Sequence, residues 1–156
     1  ARIAPIYEGT NGIQAIDLVT RKLPQSGGEH VHAYIAELKA DADALRNSNL
    51  PGLGRTADRL DAALADLEGA TRFLQKALAD GKMAEALAGA TPYLRLFGLA
   101  SGGAYLARGA VAGRDVARAS LARFFAENLI SECAALRDRV ENGADSLEAA
   151  AAALAS

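Results

Sequence analysis

The stretch Leu60-Asp61-Ala62-Ala63-Leu64-Ala65-Asp66-Leu67-Glu68-Gly69-Ala70-Thr71-Arg72-Phe73-Leu74-Gln75-Lys76-Ala77-Leu78 sets the fold class. Leu60, Leu64, Leu67, Thr71, Leu74 and Leu78 recur at offsets of 0, 4, 7, 11, 14 and 18. That spacing holds an apolar seam on one side of an α-helix for nearly three heptads. Asp58, Asp61, Asp66, Glu68 and Lys76 fall largely outside the seam, and Asp80-Gly81 ends it. A seam this long needs other apolar surfaces to cover it.

The neighbours supply them. Upstream, Val31, Ile35, Leu38, Ala42 and Leu45 form one stripe of a helix expected from about Glu29 to Arg46, and the Asn47–Gly52 stretch is a loop. Downstream, residues from about Lys82 to Ala112 read as one long helix kinked at Pro92. Inside it Gly98, Ser101, Gly102 and Gly103 make a small-residue patch that lets a neighbouring backbone come close, and Tyr93 and Tyr105 supply exposed aromatic surface. This patch raises the expectation that the bundle covers a substrate entrance or a subunit contact. A further helix is expected from about Asp115 to Glu141. Its apolar face is Ala117, Leu121, Phe124, Phe125, Leu129, Ala135, Leu136 and Val140. Asn142-Gly143 should end it, with Ser146 capping a short alanine-rich tail. Four amphipathic helices joined by short loops pack as an antiparallel up-and-down bundle. One separate helix precedes it, with Ile13, Ile16, Thr20 and Leu23 at helical spacing, an Asp17–Arg21 pair, and a stop at Pro24. The fold class expected is all-α.

Composition agrees. Alanine is nearly a quarter of the 156 residues and there are only four prolines. The net charge of −2 argues against a nucleic-acid surface as the main role. One cysteine gives no disulfide within the chain, and two histidines with it cannot complete a structural zinc site. The longest apolar run, Leu96–Ala107, is shorter than the roughly 20 residues that span a bilayer, and no secretory signal opens the chain. Arginine outnumbers lysine about three to one, a bias of GC-rich bacterial genomes. The expected setting is a bacterial cytoplasm.

Nothing in the bundle gathers acids, bases or nucleophiles. His30 and His32 point to different faces, Cys133 reads as a small core residue, and Arg114, Arg118 and Arg123 read as a solvated face with an Arg123–Glu127 pair. The chemistry sits in Ile6-Tyr7-Glu8-Gly9-Thr10-Asn11-Gly12-Ile13-Gln14-Ala15-Ile16-Asp17-Leu18. Glu8 stands just ahead of a helix start that Thr10 or Asn11 can cap, beside a glycine that allows close backbone approach. Such a carboxylate can serve as a general base, although a glutamate near a helix start also has an ordinary role in stabilising the helix dipole.

The string resembles the motif that carries the catalytic base of acyl-CoA dehydrogenases. In that family a Tyr-Glu-Gly-Thr run followed by Ile-Gln opens a long helix of the C-terminal α-helical domain. Tyr7-Glu8-Gly9-Thr10 and Ile13-Gln14 match it, and Asn11-Gly12 is similar to the branch with an appended C-terminal helical domain. The match covers about residues 2–23. Pro92-Tyr93-Leu94-Arg95-Leu96-Phe97-Gly98 is the most recognisable part of the remainder. The resemblance implies two parts: residues 1–24, the tail of the catalytic domain, and residues 25–156, the appended bundle. It implies Glu8 as the base, Gly9 lining the thioester, and Thr10, Asn11 and Gly12 facing FAD. It also implies an acyl-CoA substrate, an electron-transfer flavoprotein as partner, and a homo-oligomer. The chain alone, lacking most of such an enzyme, is expected to bind no FAD and to have no turnover. The competing reading is a non-catalytic helical module for oligomerisation or docking.

Overall fold

A computed structural model of the chain describes residues 9–154. Among them there is no strand. Helix α1 spans Gly9–Asp17 and runs into a wider π turn, Leu18–Lys22; a 3-10 turn, Gln25–Gly28, leads to α2, Glu29–Asn47. Then follow α3, Thr56–Ala79, the short α4, Met83–Ala88, α5, Ala90–Gly113, and α6, Val116–Asn128. A second 3-10 turn, Ile130–Glu132, precedes α7, Cys133–Leu154. No described helix is long and apolar enough to cross a membrane.

Side-chain pairs give the helix directions. Lys39 reaches Glu68 at 3.0 Å and Arg46 reaches Asp58 at 2.9 Å, so α2 and α3 are antiparallel. Thr71 bonds Tyr93 while Leu60 lies against Gly103, so α3 and α5 run antiparallel. Arg108 of α5 pairs with Glu37 and Asp41 while Tyr34 stacks on Phe97, so α2 and α5 are parallel. Arg95 meets Glu132 at 2.7 Å, which sets the last strut antiparallel to α5. This is an up-and-down four-helix bundle whose fourth strut is α6 and α7 together. The surface ion pairs contribute ~0–1 kcal/mol each, so they fix register more than stability.

The α3 seam is buried as spaced. Leu60, Leu64, Leu67, Thr71 and Leu74 are inaccessible, as are Ile35, Leu38, Ala42 and Leu45 of α2. Each fully buried leucine contributes about 1.5–3 kcal/mol. Helix α5 lies in the centre and packs against α1, α2, α3, α6 and α7. Its buried positions are mostly small: Ala90, Ala100, Ser101, Gly103, Ala104, Ala107 and Ala110. A Cβ on Gly103 would come within 2.4 Å of Ile130 Cδ1, so the missing side chain there is what lets the fourth strut close on α5.

Several boundaries differ from the sequence expectation. The break between α4 and α5 falls at Gly89 rather than Pro92. A Cβ on Gly89 would stand 3.2 Å from both Leu74 Cδ2 and the Val140 carbonyl, so the tight three-helix approach selects that site. Pro92 then sits in the first turn of α5, where its absent N–H leaves no bond unmade. The expected Asp115–Glu141 helix is broken at Leu129. Around the break Asn128 donates to the Phe124 carbonyl and Ser131 to the Asn128 carbonyl, in competition with the helical ladder. Asn142-Gly143 does not end the last helix. Gly143 has no positive φ and cannot form the left-handed cap, so α7 runs on to Leu154. Ser146 donates to the Gly143 carbonyl and caps nothing. At the other hairpin the left-handed residue is Arg114, at φ 48°, not a glycine.

The buried face of α6 is also not the expected one. It uses Ala119, Ala122 and Ala126, while Leu121 and Phe124 point outward. Small side chains win here because α6 must lie close to α5, where Phe125 already sits 3.3 Å from the Cβ position of Gly102. The first helix is not free of the bundle: Ala15, Val19 and Leu23 are fully buried in the shared core, and Ile13 and Ile16 are exposed. Tyr93 is likewise buried rather than exposed.

Tyr93 makes the one buried side-chain bond in the described core that crosses between helices. Thr71 donates its hydroxyl proton to the Leu67 carbonyl at 2.7 Å, so Tyr93 is the donor in the 2.8 Å bond to Thr71 Oγ1. Burial pushes the Tyr93 hydroxyl up to about 12, with the Thr71 bond acting in the opposite sense. Tyr93→Phe should cost about 1 kcal/mol, because Thr71 keeps its donor bond. Thr71→Val strands a buried phenol donor and should cost up to about 3 kcal/mol. Urea unfolding of both variants checks the order; an equal or reversed cost means the donor is misassigned. Cys133 is also buried, and burial, then Asp66 and Glu132, push its thiol to about 12. A maleimide at pH 8 should leave the native thiol unlabelled and label it on unfolding.

Candidate functional site

The motif-bearing residues open α1, and their position follows from how α1 is seated. Ala15, Val19 and Leu23 anchor it against the bundle. The π turn keeps the last two on one side: Leu23 donates to the Leu18 carbonyl at 2.9 Å, and Thr20 turns its hydroxyl back onto the Ile16 carbonyl at 2.8 Å. Asp17 and Arg21 form the expected pair at 2.7 Å. Ahead of Ala15 the start of α1 is exposed on every side. Thr10, Asn11, Gly12, Ile13 and Gln14 are all exposed.

The proposed site residues other than Glu8 can be placed on this frame. Glu8 lies outside the described residues. Gly9 is the first described residue of α1, and Thr10 and Asn11 lie within the helix rather than ahead of it as caps. Gly12 has open space above it, with nothing within 4 Å of where a Cβ would stand. The structure therefore brings Gly9, Thr10, Asn11 and Gly12 together on one turn, with Thr10, Asn11 and Gly12 exposed. A flat or chain-like group can approach Gly12 closely, and Thr10 offers a hydroxyl beside it. To that extent the turn fits the part of a flavin site that this chain would supply.

Other polar groups do not add a second reactive centre. Among the described residues no three His, Cys, Asp or Glu side chains stand close enough to hold a metal. His30 is exposed and sits 3.3 Å from the Ser26 hydroxyl. His32 is half-buried against Gln75 at 2.9 Å, a contact across α2 and α3 that spacing did not show. Arg118 and Arg123 pair with Asp115 and Glu127, as a solvated face would. Cys133, with its thiol held protonated, is no nucleophile near neutral pH.

Sequence reasoning did not find the polar cluster over α2 and α5. There Tyr34 and Tyr105 share a 3.0 Å hydroxyl bond, and that bond holds Tyr105 above the usual phenol range. Arg108 lies 5.2 Å from the Tyr105 ring and pairs with Asp41 and Glu37. Its members come from helices more than sixty residues apart, so no local pattern could reveal it.

Below this cluster a shallow groove of about 200 Å³ is lined by Leu18, Lys22, Leu23, His30, Tyr34 and Phe97, among others. It joins α1 to the bundle and lies on the seat of α1, away from the exposed motif turn.

A 3-methylmercaptopropionyl-CoA dehydrogenase of Ruegeria pomeroyi is 36% identical over 159 aligned positions, which cover 94% of this chain and 26% of that protein. The chain thus spans about a quarter of the length of that relative. The family model described as acetyl-CoA dehydrogenase C-terminal like matches residues 29–151, from the start of α2 to near the end of α7. With a match over most of its length, the chain belongs to this acyl-CoA dehydrogenase C-terminal family.

Proposed function

We propose that this chain is the C-terminal part of a flavin-dependent acyl-CoA dehydrogenase, with Glu8 as the base that removes the α-proton of the acyl thioester. The observation that carries the reading is the string Tyr7-Glu8-Gly9-Thr10 with Ile13-Gln14, whose described part lies in α1 with Thr10, Ile13 and Gln14 exposed. The residues 29–151 match and the likeness to a dehydrogenase acting on an acyl-CoA support it.

The α C–H of a thioester is a very weak acid. A carboxylate removes it only when held within reach, with the enolate-like charge on the thioester oxygen stabilised by fixed donors. Glu8 supplies the carboxylate, and its backbone N–H is a donor for that oxygen. Gly9 adds no side chain, so the thioester can lie against the backbone there. Thr10, Asn11 and Gly12 face the flavin at the helix start. FAD, when bound, accepts the β-hydride. An electron-transfer flavoprotein would be the partner that takes up the electrons. Residues 25–156 form the appended bundle, whose contact with Ala15, Val19 and Leu23 holds the motif helix in place.

In the full-length enzyme, Glu8→Gln should lower the rate of flavin reduction by acyl-CoA about 10²–10⁴-fold, the usual contribution of a positioned general base, with substrate binding retained. Stopped-flow flavin bleaching reads this, and an unchanged rate removes Glu8 from the reaction. Mixing this chain alone with FAD, an acyl-CoA and an electron acceptor should give no bleaching. Turnover there would show that the remaining domains are not needed.

A further inference from the structure

We infer that Thr20 is a positioning residue for the motif turn: it holds the π turn that seats α1 one residue out of the register its isoleucines favour, and so sets the bearing of Gly9–Gly12 on the bundle. The inference rests on the acyl-CoA dehydrogenase reading for what the turn does, and on the packing of α1 alone for how the turn is held. Two faces of this helix suit the bundle. Ile13, Ile16, Thr20 and Leu23 share one face of a regular helix, at i, i+3, i+7 and i+10. The structure buries Ala15, Val19 and Leu23 instead, and leaves Ile13 64% and Ile16 42% exposed. Ala15 and Val19 stand one residue before Ile16 and Thr20, which is about 100° of helix rotation.

The π turn reconciles the buried pair with Leu23. Its closing bond runs from the Leu23 N–H to the Leu18 carbonyl at 2.9 Å, five residues back where an α turn reaches four, so the turn takes up one extra residue. Straightened into an α turn, with Leu23 kept in the core, the helix would turn Ile16 inward, bring Thr20 toward the core and carry Ala15 off it. Two properties of Thr20 oppose that change. Its hydroxyl donates to the Ile16 carbonyl at 2.8 Å, in competition with the regular ladder beside the turn. Thr20 is also half-buried at the edge of the contact, and the straight helix would press its hydroxyl into an aliphatic seat. The seat favours a small residue at position 15: α1 packs on α5, a helix of mostly small buried residues, and Ala15 is fully covered.

Maleimide labelling of this chain tests the seating without catalysis. An Ala15→Cys thiol should be shielded, and adding Thr20→Val should raise its labelling rate at least about tenfold. Ile16→Cys should give the mirror result, open to the reagent with Thr20 and shielded with Thr20→Val. Thr20→Ser keeps the hydroxyl and should change neither. Deleting Thr20 should also leave Ala15→Cys shielded, because Ala15, Val19 and Leu23 then fall at i, i+4 and i+7 of a regular helix. Buried Cys133 should stay silent throughout, which reports an intact bundle. In the full-length enzyme, Thr20→Val should slow flavin reduction by acyl-CoA about 10²-fold, the cost of a misplacement of about 1 Å, with acyl-CoA affinity and thermal melt unchanged, and Thr20→Ser should restore the rate. An Ala15→Cys thiol that labels freely by itself, or one that Thr20→Val does not expose, overturns the seating. So does labelling of positions 15 and 16 together, which is fraying, or of Cys133 with them, which is unfolding. A seating that rotates while flavin reduction holds its rate overturns the positioning role and leaves the Glu8 assignment standing. A Glu8→Gln enzyme at full rate overturns that assignment and the role that rests on it, and the labelling result still decides the seating.

Discussion

The bundle depends on how closely its neighbours can approach α5. That helix touches all six of the other described helices, and its buried positions are alanine, serine and glycine with only Tyr93 and Leu96 as large members. Close approach gives many weak dispersion contacts along each helix, and their sum favours the folded state although no single contact is strong. It also sets the composition of the helices that pack there. Helix α6 presents alanines to α5, and Ile130 occupies the space that Gly103 leaves open. The large apolar side chains of α6 are turned outward by the same constraint.

Charge and hydrogen bonding act on top of this packing. Lys39–Glu68, Arg46–Asp58 and Arg108–Asp41 tie α2 to its two neighbours at the surface, where solvent screens them. They select one register among those that the apolar seams allow. The Thr71–Tyr93 bond does the same inside the core, where an unmatched register would leave the buried Tyr93 hydroxyl without a partner.

Much of this was legible in the residues because it is local. The α3 seam, the α2 stripe, the Asp17–Arg21 and Arg123–Glu127 pairs and the all-α class follow from spacing along one helix. What spacing misjudged depends on more than one helix. Size patterning chose Leu121 and Phe124 for the inside of α6, but the inside is decided by the gap to α5 and takes alanine. Ile13 and Ile16 outranked Ala15 and Val19 by hydrophobicity, yet the π turn and the close seat of α1 bury the smaller pair. Pro92 marked a break that Gly89 makes, because Leu74 and Val140 converge at Gly89. The motif turn was readable from its letters alone. Its exposure could be known only once the contacts of α1 with the bundle were seen to begin at Ala15.

The seating of α1 ties two surfaces of one short helix together. Val19 lies in the core, and Gly12 stands about two helical turns away in the exposed first turn. A rigid rod of that length carries a tilt at one end into a displacement at the other. Loosening the packing beneath Val19 would therefore re-aim the Gly9–Gly12 turn without altering any of its atoms. The aliphatic floor of the bundle thus acts as a gunsight mount for whatever chemistry the turn performs.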